Sequence, residues 1–167
     1  MRRFVVVICG GLLLNAGHFV PVAGAQQIAG VSAAPKPKSY VVFVAEPQVV
    51  KAGKPGVLEL KFKVVEGFHV NSHTPKSELL IPTNLKMEAA AGVKASAVVY
   101  PAGHAFSFSF DPKEKLDVYS GPFTLTLPVV AEAGEHTVEA VLRYQACDNA
   151  ACYPPKSLPV QVVFSAK

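Results

Sequence analysis

The chain has 167 residues, 50% hydrophobic and 17% charged, with a net charge of +4, 14 Pro, 12 Gly, no Trp and three Cys. That length suits one domain, and an ordinary apolar fraction without a short repeat excludes disorder, collagen and coiled coil. Past residue 25 every apolar stretch is interrupted well before the roughly 20 residues a spanning helix needs, which excludes a multi-pass membrane protein.

Met1, Arg2 and Arg3 make a basic start, Phe4 to Leu14 an apolar run of secretory length, and Ala23-Gly24-Ala25 before Gln26 an A-x-A cleavage site. Residues 1–25 are therefore expected to be a signal peptide. An uncleaved amino-terminal anchor is the alternative, and only through it does a membrane enter the expectation. Cleavage would remove Arg2 and Arg3, leaving a charge too small for nucleic-acid binding. It would also remove Cys9, so Cys147 and Cys152 remain, and export makes a disulfide between them the default. A monomer in the periplasm or outside the cell is expected.

Residues 26–39, rich in Ala, Pro and Lys, read as a flexible or extended linker, and residues 40–167 as the domain. Short runs at 40–45, 68–71 and 85–88 are candidate strands. Clear period-two alternation marks 57–65, where Leu58, Leu60, Phe62 and Val64 oppose Glu59, Lys61 and Lys63. The same period places Val93, Ala95, Ala97 and Val99 on one face. It recurs at Phe123, Leu125, Leu127 and Val129, at Val138, Ala140, Leu142 and Tyr144, and at Leu158, Val160, Val162 and Phe164.

About eight such strands with glycine punctuation and almost no helical periodicity predict an all-β fold, an antiparallel β-sandwich, with a small barrel as the alternative. Pro128 and Pro159 fall inside strand patterns, so those strands should lie at edges or carry bulges there.

Cys147 and Cys152 lie between the last two alternating runs, so their bridge would close a hairpin tip. Closing a six-residue ring contributes only roughly 2 kcal/mol. That is a weak structural reason in a domain able to bury a core. A bridge on an exposed turn is open to thiolate attack, while spacing alone also fits a hairpin staple. Asp148 beside Cys147 would raise a thiol pKa, and no strong activating cation is near in sequence.

His69, His73 and His104 with the cysteines could in principle ligate zinc or copper. A strand through residues 68–71 spreads the first two too far apart, and solvated or core-edge histidines are the simpler expectation. Tyr153-Pro154 is a step where either peptide isomer is open. No nucleophile elbow or phosphate loop accompanies the serines or glycines.

The run Tyr144-Gln145-Ala146-Cys147 followed by Cys152-Tyr153-Pro154-Pro155 resembles the family of amino-terminal periplasmic domains of the thiol:disulfide interchange protein DsbD and its stand-alone relatives. Glu66-Gly67-Phe68-His69-Val70, Val99-Tyr100-Pro101-Ala102-Gly103 and Leu116-Asp117-Val118-Tyr119 are similar as well, and the likeness spans 40–164. It implies an immunoglobulin-like sandwich that relays reducing equivalents. A thioredoxin-fold protein or domain would supply electrons in trans, and periplasmic disulfide oxidoreductases would accept them.

In that reading Cys152 forms the mixed disulfide and Cys147 resolves it, with no metal or organic cofactor. The resemblance also implies an aromatic shield, met here by Phe106, Phe108 and Phe110. These three rings could instead fill the core. Tyr153, Phe68 and Val70 are the expected partner contacts. The acidic residues that accompany the shield in DsbD are unmatched before Asp111. The competing expectation is a non-catalytic immunoglobulin-like binding module with a structural disulfide.

Overall fold

Period-two rows that bury alternate side chains become long strands, and the short runs between them become edges. The computed structural model describes residues 37–108 and 111–167. The expected signal peptide, most of the expected linker and Phe110 lie outside the described residues.

Among the described residues the strands are β1 Val41–Val44, β2 Gln48–Val50, β3 Pro55–Val64, β4 His69–Asn71, β5 Asn84–Met87 and β6 Val93–Ala95, then β7 His104–Phe108, β8 Asp111–Tyr119, β9 Pro122–Ala131, β10 Gly134–Tyr144, β11 Ala146–Cys147 and β12 Lys156–Ala166. They pair in three sheets ordered β1-β3-β9-β6, β2-β12-β10-β5 and β11-β4-β8-β7. The β2–β12 pair is parallel; the long ladders β3–β9 and β10–β12 are antiparallel.

Leu58, Leu60, Phe62 and Val64 of β3 and Phe123, Leu125, Leu127 and Val129 of β9 are buried. They share one core with Val138, Ala140, Leu142 and Tyr144 of β10 and Val160, Val162 and Phe164 of β12. Burying each of the larger side chains is worth about 1.5–3 kcal/mol, and that gain joins the first two sheets face to face. The fold is the expected all-β, immunoglobulin-like antiparallel sandwich.

Two proline expectations meet their physical cause. At Pro159, which pairs Val141 of β10, the other flank of β12 carries no strand among the described residues, because β2 pairs only Phe164–Ala166. Pro128 lies in an interior strand, yet the β6 ladder stops at Val129 and pairing resumes at Val99–Thr126. The Pro128 carbonyl accepts from Ser96 N–H (2.9 Å) on that same flank, so the missing donor falls in the break.

That break overturns one expected face. Ala95, Ala97 and Val99 are exposed, while Val93, Val98 and Tyr100 pack on the core, because the chain leaves the ladder after Ala95 and changes its alternation. The sequence pattern gives no strand for β2, β8 or the two-residue β11. β2 is too short to show a period, and the first half of β8 is polar and exposed.

The third sheet positions the cysteines. One of its faces joins the core through Val70, Ala146 and Tyr119. The opposite face carries Cys147 and its cross-strand neighbour His69, and, two strands on, Val118 and Leu116 facing His104 and Phe106.

Candidate functional site: a cross-strand disulfide

Cys147 and Cys152 face each other as an isolated antiparallel bridge, with Cα atoms 3.9 Å apart and the sulfurs bonded. Tyr153 N–H donates to Ala146 O (2.8 Å) and Asp148 N–H to Ala151 O (3.0 Å), so the pair is a non-hydrogen-bonded one. This is the pairing in which side chains come closest across a ladder. The two half-cystines differ in exposure. Cys147 is 0% exposed, whereas Cys152 is exposed.

The four residues at the tip are closed by Asp148. Its Oδ1 accepts from the N–H groups of Ala150 and Ala151, each at 2.8 Å, and its Oδ2 accepts a short hydrogen bond from the Tyr153 hydroxyl. That bond is the main reason the Tyr153 phenol is pushed up to about 12, with burial adding to it. Gln145 fixes the other end of the segment. Its Oε1 accepts from Asn71 Nδ2 (3.0 Å) and Ile81 N–H (3.1 Å), and its Nε2 donates to Tyr153 O (3.3 Å).

On the β4 side, His69 pairs with Cys147 in register and is only 3% exposed. Phe106 packs on its ring at 3.9 Å between centroids and Phe108 at 6.1 Å, the two phenyl rings meeting edge to face at 5.5 Å. Both phenylalanines are half-buried and stand outside the main core, over this second face. His104 beside them bonds Ser120 Oγ (3.0 Å). A cleft of about 210 Å³ opens here between Phe68, His69, His104, Phe106 and Asn149.

Burial lowers the His69 pKa to about 4, the charge of His104 pushing the same way and Asp148 opposing both. His73 is apart from this group, stacked on Tyr100 at 3.6 Å with Nδ1 3.0 Å from Thr83 O.

On the far side of Cys152, Tyr153 stacks on Tyr40 (5.3 Å) and lies 6.1 Å from Phe68, which in turn packs on Tyr40 (4.7 Å). Tyr153 and Phe68 are half-buried and offer part of their rings to solvent. Val70 requires a correction. Expected at the contact surface, it is 0% exposed and turned into the core with Ala146 and Tyr119, because it alternates with His69. No peptide bond among the described residues is cis, Tyr153-Pro154 included.

Sequence reasoning left His69 as a core-edge or solvated side chain and gave no role to Asn71 or Gln145. The signal was present in part: His69 alternates with the apolar Phe68 and Val70 in a run too short to tell which face is buried.

A small sheet on a β-sandwich that carries a cross-strand disulfide, one half-cystine buried and the other exposed, defines a disulfide-bearing β domain. The chain belongs to the family of the N-terminal domain of the thiol:disulfide interchange protein DsbD, whose profile matches residues 40–163.

Among solved structures, the reduced N-terminal domain of DsbD from Neisseria meningitidis is similar at 18% identity, over 65% of this chain and 81% of its own, with a TM-score of 0.41. The N-terminal periplasmic domain of ScsB from Proteus mirabilis is similar at 10% identity, over 73% of this chain and 44% of its own, with a TM-score of 0.49. No curated protein matches the chain. Family membership together with the Cys147–Cys152 bridge supports thiol–disulfide exchange as the chemistry of this chain.

Proposed function

We propose that this domain relays electrons between a thioredoxin-fold reductant and exported disulfide oxidoreductases through Cys147 and Cys152. The observation that carries the reading is the unequal access of the two half-cystines. An incoming thiolate must reach its target sulfur, and only Cys152 meets that requirement. The partner sulfur bonds to Cys152, the Cys147–Cys152 bond breaks, and its electron pair stays on Cys147. A second partner thiolate then attacks the mixed disulfide and leaves this domain with two reduced cysteines. Running the same steps toward an oxidised acceptor returns the bridge, so no metal or organic cofactor takes part.

Tyr153 and Phe68 flank the exposed sulfur and form the contact surface on one side. Phe106 and Phe108 shield the other. We assign residues 1–25 to a signal peptide, 26–39 to a linker and 40–167 to the exchange domain, an arrangement that supports export to the periplasm or out of the cell.

Trapping tests the order of events. Given a thioredoxin variant that keeps only its attacking cysteine, activated as an aryl disulfide, Cys147→Ala should displace the arylthiolate and hold thioredoxin as a stable mixed disulfide on Cys152, whereas Cys152→Ala should trap little, as seen on non-reducing gels. Failure of both variants to trap, with the native bridge resisting excess reduced thioredoxin, would leave a structural staple.

A further inference from the structure

Reduction creates a difficulty at Cys147. It becomes a thiolate, or a thiol whose hydrogen needs an acceptor, at a site with 0% exposure. An unpaired charge in such a place is strongly disfavoured, and an unpaired polar group also costs free energy. A group suited to both forms stands in register with Cys147. His69 is directly opposite Cys147 on the neighbouring strand; such pairs project to the same face with Cβ atoms about 4.5–5.5 Å apart. Its ring is 3% exposed, and its Nε2 is buried without a hydrogen-bond partner. An orphaned buried polar atom of this kind calls for a reason.

We infer that His69 is the proton-handling group of this disulfide, holding a proton against the Cys147 sulfur in the reduced protein and giving it up when the bridge re-forms. The inference rests on the exchange role proposed above. In the oxidised protein the sulfurs are neutral and the imidazole is neutral too, its ring covered by Phe106 and Phe108. The groups that bear on its charge from the packed elements are His104 of β7, which opposes protonation, and Asp148 at the β11 turn, which favours it.

When a partner thiolate bonds to Cys152 and the electron pair passes to Cys147, a negative charge appears beside the ring. An adjacent anion favours the imidazolium, so His69 takes one proton from solvent and the buried pair becomes neutral overall. On re-oxidation Cys147 attacks the mixed disulfide, the partner sulfur leaves with the electron pair, and the proton on His69 returns to solvent. The sulfur and the imidazole then titrate as one coupled pair.

The full chain can be examined in both states without any variant. The ring of His69 is titrated by NMR with the bridge intact and again after reduction by a phosphine, which needs no protein partner. We expect its apparent pKa to rise by about one unit or more on reduction, a tenfold or greater change in proton affinity. A smaller change, or a fall, overturns the inference.

A second reading comes from thiolate absorbance of Cys147 in the Cys152→Ala background. Adding His69→Gln should weaken thiol ionisation about tenfold or more, and an unchanged titration counts against the role. Because a chemical reductant is used, loss of this coupling is separable from failure to exchange with thioredoxin.

Discussion

Asp148 closes the tip of the disulfide hairpin with three acceptor contacts, two to backbone N–H groups and one to the Tyr153 hydroxyl. From sequence its charge reads only as an influence on the neighbouring thiol; the fold turns that carboxylate onto its own turn. Replacing it removes the acceptor for all three donors. Because two of those donors are exposed and can turn to water, Asp148→Ala should cost only about 0.5–1.5 kcal/mol in urea unfolding of the oxidised protein. Asp148→Asn keeps a carbonyl oxygen for the turn and should lose less. The Tyr153 phenol reports the same contact: raised to about 12 chiefly by the bond to Asp148, it should fall back toward 10 in Asp148→Ala. Phenolate absorbance measures this directly.

At the scale of elements, β7 carries Phe106 and Phe108 over the face of the third sheet that bears His69 and Cys147, and among the described residues its strand pairing is with β8 along one edge, in a register that shifts between Phe106 and Phe108. A cover attached along one edge can be weakened without touching the sandwich. Phe106→Ala removes the ring nearest His69 and should speed reduction of the bridge by dithiothreitol several-fold, followed by thiol release. Its urea midpoint should move less than that of a core truncation such as Leu125→Ala, for which about 2–5 kcal/mol is expected.

The contrast matches what could be read in the sequence. The rows at β3, β9, β10 and β12 are legible because each is long enough to show its period and each buries one whole face. The second face is not: β4 and β11 have three and two residues, and their pairing joins positions far apart in the chain. Cys147 and Cys152 were identifiable from their motif. Their unequal exposure and the apposition of His69 come from register, which no local pattern encodes.

For the molecule as a whole, the neutral state of His69 ties the fold to pH. Its pKa in the folded protein is about 4, against 6.5 for an unperturbed imidazole. Between those values the unfolded chain binds a proton at this site that the folded chain does not. Stability therefore rises with pH across the window, and the depressed pKa gives a contribution present above about 6.5 that is lost as the pH falls toward 4.

The slope from one such group cannot exceed about 1.4 kcal/mol per pH unit, and partial relaxation around the ring would reduce it. Urea unfolding of the oxidised protein at several pH values from 7 down to 4 should show this loss. The same series on His69→Gln should lack that component, because the substituted amide does not titrate. Equal slopes for the two proteins would mean that the ring is protonated in the fold as readily as in the unfolded chain, and that His69 is not buried in its neutral form.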